Sequence, residues 1–287
     1  MSPQTYPLTS RALWPFRLPE TLSINEIQIL LERIEQIGRE AQYGWGHTID
    51  FGPFRVEGLL KETYLEIAGF LDSWQWWPPF LKGKVVADVG CFTGGLSLLM
   101  ANRNPERVYA IDEIPEHLDQ CRFLAELFKV DSVICIEASL YELPKKIPPG
   151  SLDLILLSGV LYHLSDMLVG LLGLQTLLKP EGVLIIESSA IECFEHSYAN
   201  FCRFCGGAWW QPTALCIQDM CMFTGFDRPE VRFYTEGRCL ARTVKSPGAQ
   251  IPFRRGMNWK FPSLRDEIPR SMDLSIMTPA PCDHDDK

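Results

Sequence analysis

Residues 84–95 read KVVADVGCFTGG, an apolar run that ends in an acid and opens into three closely spaced glycines. A glycine turn after a buried strand brings backbone close to a ligand. Asp88, Gly90, Phe92 and Gly94 are therefore the candidate ligand loop, with Gly95 beside them. Asp112 ends the next apolar run, 24 residues after Asp88. A carboxylate there accepts hydrogen bonds from both hydroxyls of a ribose. The fourth apolar run ends in SGVLYHL and presents Tyr162 and His163. A histidine near neutrality is the commonest general base, so His163 is a candidate for taking an acceptor's proton. His47, in WGHTID, is a second base candidate, and Asp50 beside it is a candidate substrate contact. Glu187 closes the fifth run, where it would orient a base or hold a polar acceptor. Trp209, Trp210 and Gln211 precede a late helix and would wall an acceptor. Plainer roles compete with each: Asp112 as a helix N-cap, His163 as a donor to a loop, the tryptophans as packing.

The elements that must position these groups alternate. Strands at KVVADVG, RVYAID, SVICIEA, LDLILLSG and GVLIIESS are separated by helices at GGLSLLMANR, IPEHLDQCRFLAELF and DMLVGLLGLQTLL. A helix at QPTALCIQDMCMFTG and an antiparallel pair, EVRFYT and RCLARTVK, follow. Continuous apolar strands alternating with helices predict an α/β fold whose parallel sheet is covered on both faces. Upstream, Ser23 and Glu26 form a capping box for a helix with apolar residues at helical spacing. A second helix is expected from about 57 to 71. The chain thus divides into an arm and helical lid at 1–80, a ligand-binding domain at 81–245, and a C-terminal strap and disordered tail at 246–287.

Bulk properties narrow the function. The chain has 287 residues, 46% of them hydrophobic, and a net charge of −9. An acidic chain binds polyphosphate poorly, which disfavours a nucleic-acid partner. The opening residues lack the apolar core of a signal peptide, and no apolar run reaches membrane-spanning length, so a cytoplasmic protein with free thiols is expected. A P-loop is absent. The dinucleotide fingerprint would need glycine at Phe92, and Asp88 would oppose a pyrophosphate while suiting an ammonium group. These details favour S-adenosylmethionine over NAD as the cofactor, with an oxidoreductase the weaker reading.

VADVGCFTGG, YAID, EASLYELP, LDLILLSGVLYHL and LLKPEGVLIIESS resemble the successive motifs of class I S-adenosylmethionine-dependent methyltransferases, in order, over about residues 82–190. The resemblance implies a Rossmann-like, mostly parallel seven-stranded sheet with an N-terminal helical extension. It implies that Ala138 and Ser139 meet the adenine, that Tyr162 lines the cofactor and that His163 lies beside the methyl group. Phe92 departs from the family, where a glycine is common. WGHTIDFGPF, GVLYHLSDML and WWQPTALCIQDMCMFTGF are further similar to the branch containing the tRNA wobble-uridine carboxymethyltransferase, which uses a carboxylated cofactor. In that branch the WGHTID segment folds over the active site. That enzyme has lysines where Phe51 and Gln75 stand here, and an unpaired carboxylate in a closed site is costly. The expected reaction is therefore methyl transfer from ordinary S-adenosylmethionine to an O or N nucleophile of a small-molecule acceptor. Carboxymethylation of tRNA is the alternative, supported by the locally basic run PFRRGMNWKFPSLR, and a non-catalytic cofactor-binding scaffold is the alternative of another class. Cys202 and Cys205 make a lone CxxC, short of the ligands a zinc site needs, so no metal is expected.

Overall fold

The computed structural model describes residues 14–247. The elements in chain order are α1 (Ile24–Glu40), β1 (Ile49–Asp50), β2 (Arg55–Val56), α2 (Thr63–Ser73), β3 (Val85–Val89), α3 (Gly95–Ala101), β4 (Arg107–Asp112), α4 (Pro115–Leu127), β5 (Val133–Glu137), α5 (Leu143–Lys146), β6 (Leu152–Ser158), α6 (Met167–Leu177), β7 (Leu178–Ser189), β8 (Ala199–Phe201), β9 (Trp210–Pro212), α7 (Ala214–Phe223), β10 (Glu230–Thr235) and β11 (Arg238–Val244). Seven strands form one sheet in the order β10-β11-β7-β6-β3-β4-β5. β5, β4, β3, β6 and β7 run parallel, and β11 runs antiparallel to both β7 and β10. This is the Rossmann-like, mostly parallel sheet with an N-terminal helical extension that the family resemblance implies, and its parallel core is the one the apolar runs predict.

Side-chain alternation explains why the strands are apolar throughout. Val86, Leu154, Leu156, Ile185 and Leu240 bury into one layer with α2 and α3. Ala87, Val89, Ile155, Leu157, Leu184, Ile186 and Ala241 bury into the other with α6 and α7. The capping box forms at α1 as its sequence requires: the Glu26 backbone N–H donates to Ser23 Oγ, and the Ser23 backbone N–H to Glu26 Oε2.

The second helix starts at Thr63, later than its spacing suggests. Residues 57–62 are drawn off by the segment they pack on: Leu59 and Leu60 N–H donate to the carbonyls of Trp45 and Gly46, and Thr48 N–H donates to Lys61. The β8–β9 hairpin has no counterpart in the strand reading. The described part of the N-terminal arm has no helix or strand before residue 24, and it is docked: Trp14 is buried and donates through Nε1 to the Asp50 carbonyl. The arm before residue 14 and the strap and basic run beyond 247 lie outside the described residues. Cys91, Cys121, Cys135, Cys193, Cys202, Cys216, Cys221 and Cys239 are free thiols, while Cys205 is disulfide-bonded, in departure from the free-thiol expectation. No helix among the described residues is long and apolar enough to cross a membrane.

Candidate active site

The glycine turn joins β3 to α3 at the carboxyl ends of the parallel strands. Gly90 and Gly94 take φ of +77° and +84°, and a Cβ at either would fall 2.2 Å from Val160 Cγ2 or 2.4 Å from Cys121 Sγ. Both positions therefore require glycine. Phe92 accepts the same left-handed backbone at φ +51°. Its N–H donates to Asp112 Oδ2 at 3.0 Å. Ile114 N–H donates to Asp112 Oδ1 at 3.0 Å, and His117 Nδ1 lies 3.2 Å from the same oxygen. Three groups from the turn and α4 thus fix the plane of this carboxylate. Asp112 does not cap α4 through its own position; Ile114 is the N-cap residue. Ala138 N–H donates to the Asp112 carbonyl, which places Ala138 and Ser139 next along the same edge.

Among the described residues two buried polar side-chain atoms lack partners: Asp88 Oδ1 and His47 Nδ1. Asp88 accepts from Ser97 Oγ at 2.6 Å through its other oxygen. Burial, opposed by that hydrogen bond, pushes its carboxyl up to about 7. His47 sits against Tyr64 and Phe92, with ring centroids 4.8 and 5.5 Å away. Burial and the nearby His117 push its imidazole down to about 3, so it is neutral at physiological pH. The Phe92 ring lies between His47 and His117, 4.3 Å from the latter, over Gly46, where a Cβ would collide with it at 2.0 Å.

The other side of the cleft is built by the loop after β6 and by the two strands β7 and β11. Glu187, at the end of β7, is buried and pairs with Arg238 at the start of β11: Nε donates to Oε1 at 2.8 Å and Nη2 to Oε2 at 2.7 Å. Tyr234 OH donates to Oε1 at 2.7 Å. Arg238 Nη1 reaches Tyr162 OH at 3.1 Å. Gly159 faces this group; a Cβ there would meet Tyr162 OH and Glu187 Oε2 only at ordinary contact distance, 3.7 and 3.9 Å. His163 Nδ1 lies 2.8 Å from the Gly207 carbonyl. A carbonyl only accepts, so Nδ1 carries the proton and the neutral ring keeps a basic lone pair on Nε2.

The remaining expected residues divide. Trp209 N–H donates to the Tyr162 carbonyl, Trp210 Nε1 to the Ser165 carbonyl, and Gln211 Nε2 to Ser189 Oγ, so all three lie beside the loop that carries Tyr162 and His163. Asp50 is engaged elsewhere, with Arg17 of the arm at 3.3 Å and with the Gly52 N–H. Phe51 is buried against Phe54 and Phe128, and Gln75 opens onto a surface groove with Trp76, Trp77, Val183 and Arg242. Neither position borders the cleft, so their neutrality does not decide which cofactor is held. The cation of the cleft is Arg238, which the motif reading missed because it enters from the last strand, 51 residues after Glu187. His117 was also missed; its signal is its place five residues after Asp112, one helical turn into α4. Among the described residues no group of three or more His, Cys, Asp or Glu is placed to hold a metal ion.

Residues 81–220 match the family model described as a methyltransferase domain. The chain is 31% identical over 179 residues to the tRNA U34 carboxymethyltransferase of Desulfotalea psychrophila, covering 61% of this chain and 55% of that protein. It is 30% identical over 192 residues to the protein of the same name from a Sulfurovum species, covering 63% of this chain and 60% of that protein. The chain therefore spans little more than half the length of these relatives. A putative S-adenosylmethionine-dependent methyltransferase from Listeria monocytogenes shares the fold, with a TM-score of 0.50 and 14% identity over 63% of this chain and all of that one.

Proposed function

We propose, on the premise that residues 81–220 form a methyltransferase domain, that this chain moves a methyl group from S-adenosylmethionine to an O or N nucleophile of a small molecule. The observation that carries the cofactor half is the pair of carboxylates flanking the glycine turn. Asp112 is held in plane at the end of β4, suited to a ribose diol. Asp88 keeps a buried oxygen without a partner, as expected of an acid that awaits an ammonium group. When bound, S-adenosylmethionine supplies an electrophilic methyl carbon on a sulfonium. The chain's own part is to bind, align and deprotonate the acceptor, because an in-line displacement depends on alignment. His163 Nε2 is the base best placed for this, since Nδ1 is committed to Gly207 and the ring orientation is thereby set. Glu187 acts as the buried counter-charge of Arg238, and His47, driven to its neutral form by burial, packs behind Phe92.

One observation favours a second reading, transfer from the carboxylated cofactor to tRNA. Arg238 Nη1 and Nη2 each carry another N–H, and the guanidinium stands beside Tyr162 in the cleft, a suitable partner for an added carboxylate. Against it, Glu187 already neutralises that charge, and the chain's net charge of −9 disfavours an RNA surface. Parallel calorimetric titration with the two cofactors separates the readings. Tight binding of the ordinary form supports methyl transfer. Preference for the carboxylated form moves the assignment to tRNA, and binding of neither overturns the methyltransferase reading itself.

A further inference from the structure

We propose that the β8–β9 hairpin is a stacking platform that selects a planar conjugated ring bearing an acidic hydroxyl, free in solution, as the acceptor. This rests on the methyl-transfer reading and specifies its substrate class.

Four aromatic rings meet on the hairpin. Phe201 and Trp209 lie with their planes 20° apart at 6.2 Å, Phe201 and Trp210 at 5.2 Å, and Phe204 and Trp209 at 5.0 Å. Phe201 is 54% exposed and Phe204 45% exposed. Contiguous exposed apolar surface, as opposed to singly scattered side chains, is a feature of interaction sites. The backbone beneath it is strained. Arg203 and Phe204 take φ of +51° and +60°, in the left-handed region that side chains avoid, and Gly206 and Gly207 follow with positive φ. Such conformations persist where surrounding structure holds them, and they cluster at ligand sites.

The tethers that hold the hairpin lead to the site. Trp209 N–H is bonded to the Tyr162 carbonyl, Trp210 Nε1 to the Ser165 carbonyl, and His163 Nδ1 to the Gly207 carbonyl. The hairpin is therefore tied at three points to the loop that carries the candidate base. A ring laid on Phe201 and Trp209 is within the same loop cluster as His163 Nε2. A phenol-type hydroxyl, with an ordinary pKa of about 10, is acidic enough for an imidazole to assist. Its proton passes to Nε2 while the oxygen forms the new C–O bond. The methyl–sulfur bond breaks with its electron pair staying on sulfur.

Charge decides between a free ring and a nucleobase in a strand. Between Tyr198 and Pro212 the sequence carries one charged residue, Arg203. Surfaces that stack the bases of a nucleic-acid strand combine their aromatic rings with a basic groove that tracks the phosphates. Stacking side chains on a segment with a single cation suit an uncharged planar ring.

The test uses 2-naphthol as probe, its fully saturated analogue decahydro-2-naphthol, and a short uridine-containing hairpin RNA, each titrated calorimetrically into the full chain saturated with S-adenosylhomocysteine. Naphthol is expected to bind at least about tenfold more tightly than the saturated analogue, the scale of one stacking contact. Phe201→Leu and Phe204→Leu are each expected to weaken naphthol about tenfold while leaving S-adenosylhomocysteine affinity and Tm unchanged. Equal affinity for the saturated ring, or naphthol affinity unmoved in both variants, overturns the proposal. So does RNA binding at physiological salt that Phe201→Leu abolishes, since the ring would then be a nucleobase. Failure of the wild-type chain to bind S-adenosylhomocysteine at all would instead remove the methyl-transfer reading beneath it.

Discussion

Asp112 is held by two backbone N–H groups and one histidine, and each can be tested by what it leaves behind. Asp112→Ala removes the acceptor for two ribose hydroxyls, and S-adenosylhomocysteine affinity should fall by about 3 kcal/mol, roughly two hydrogen bonds to a charged group, measured by calorimetry. His117→Phe keeps the ring packed on Phe92 and deletes the donor to Asp112 Oδ1. It should cost about 1 kcal/mol of cofactor binding, whereas His117→Asn, which retains an N–H near the same place, should recover most of it. A loss in His117→Asn with none in His117→Phe would show that ring packing, rather than the hydrogen bond, is what counts. The position of Asp112 at the end of β4 was legible because one strand-to-helix spacing fixes it. Arg238 was not legible, because it acts through a contact that no local spacing encodes, from a strand that arrives late in the chain; His117 had a local signal, five residues after Asp112 in the first turn of α4, that the motifs do not include.

At the scale of elements, the cleft depends on β7 and β11 lying side by side, with Leu240 opposite Glu187 and Arg238 opposite Ser189. Glu187 is 1% exposed, so removing its partner leaves a buried charge uncompensated. Arg238→Met should destabilise the fold by about 3 kcal/mol in denaturant unfolding, and adding Glu187→Leu should restore much of that. The segment that carries His47 is pinned to the glycine turn, since His47 N–H donates to Thr93 Oγ1 at 3.0 Å and Gly46 lies under the Phe92 ring. Gly46→Ala should therefore push Phe92 aside and cost about 1–3 kcal/mol of stability, with weaker cofactor binding beside it. The parallel strands were readable because strands buried on both faces are continuous apolar runs. The β8–β9 hairpin was not, because its strands are three residues each and its aromatic residues alternate with nothing. The N-terminus of α2 shifted to Thr63 because residues 57–62 bond to residues 45–48, a non-local demand that helical spacing cannot register.

For the whole molecule, two buried groups make stability depend on pH with opposite signs. The His47 imidazole, held near 3 when folded and near 6.5 when unfolded, contributes stability that is complete above pH 6.5 and is lost as pH falls toward 3. The Asp88 carboxyl, held near 7 when folded and near 3.8 when unfolded, contributes stability that is complete below pH 3.8 and is lost as pH rises through 7. Each amounts to a few kcal/mol at its limit. Asp88→Asn should thus raise the Tm of the cofactor-free chain at pH 8 and not at pH 4, while weakening cofactor binding. His47→Leu should lessen the loss of stability between pH 6.5 and 4. Unaltered Tm profiles in both variants would contradict these assignments.

The reversed direction of β11 has a consequence for how the molecule is made. Every parallel strand delivers its carboxyl end to the cleft, but β11 delivers its beginning, so Arg238 arrives there 126 residues after Asp112. During synthesis the glycine turn and Asp112 are complete well before the Glu187–Arg238 pair can form. Until β11 inserts, Glu187 is an acid with neither Arg238 nor Tyr234 to receive it. A nascent chain can thus assemble a place for the nucleoside while its β7 edge stays open and charged, and the final strand closes the sheet and arms the cleft in one step.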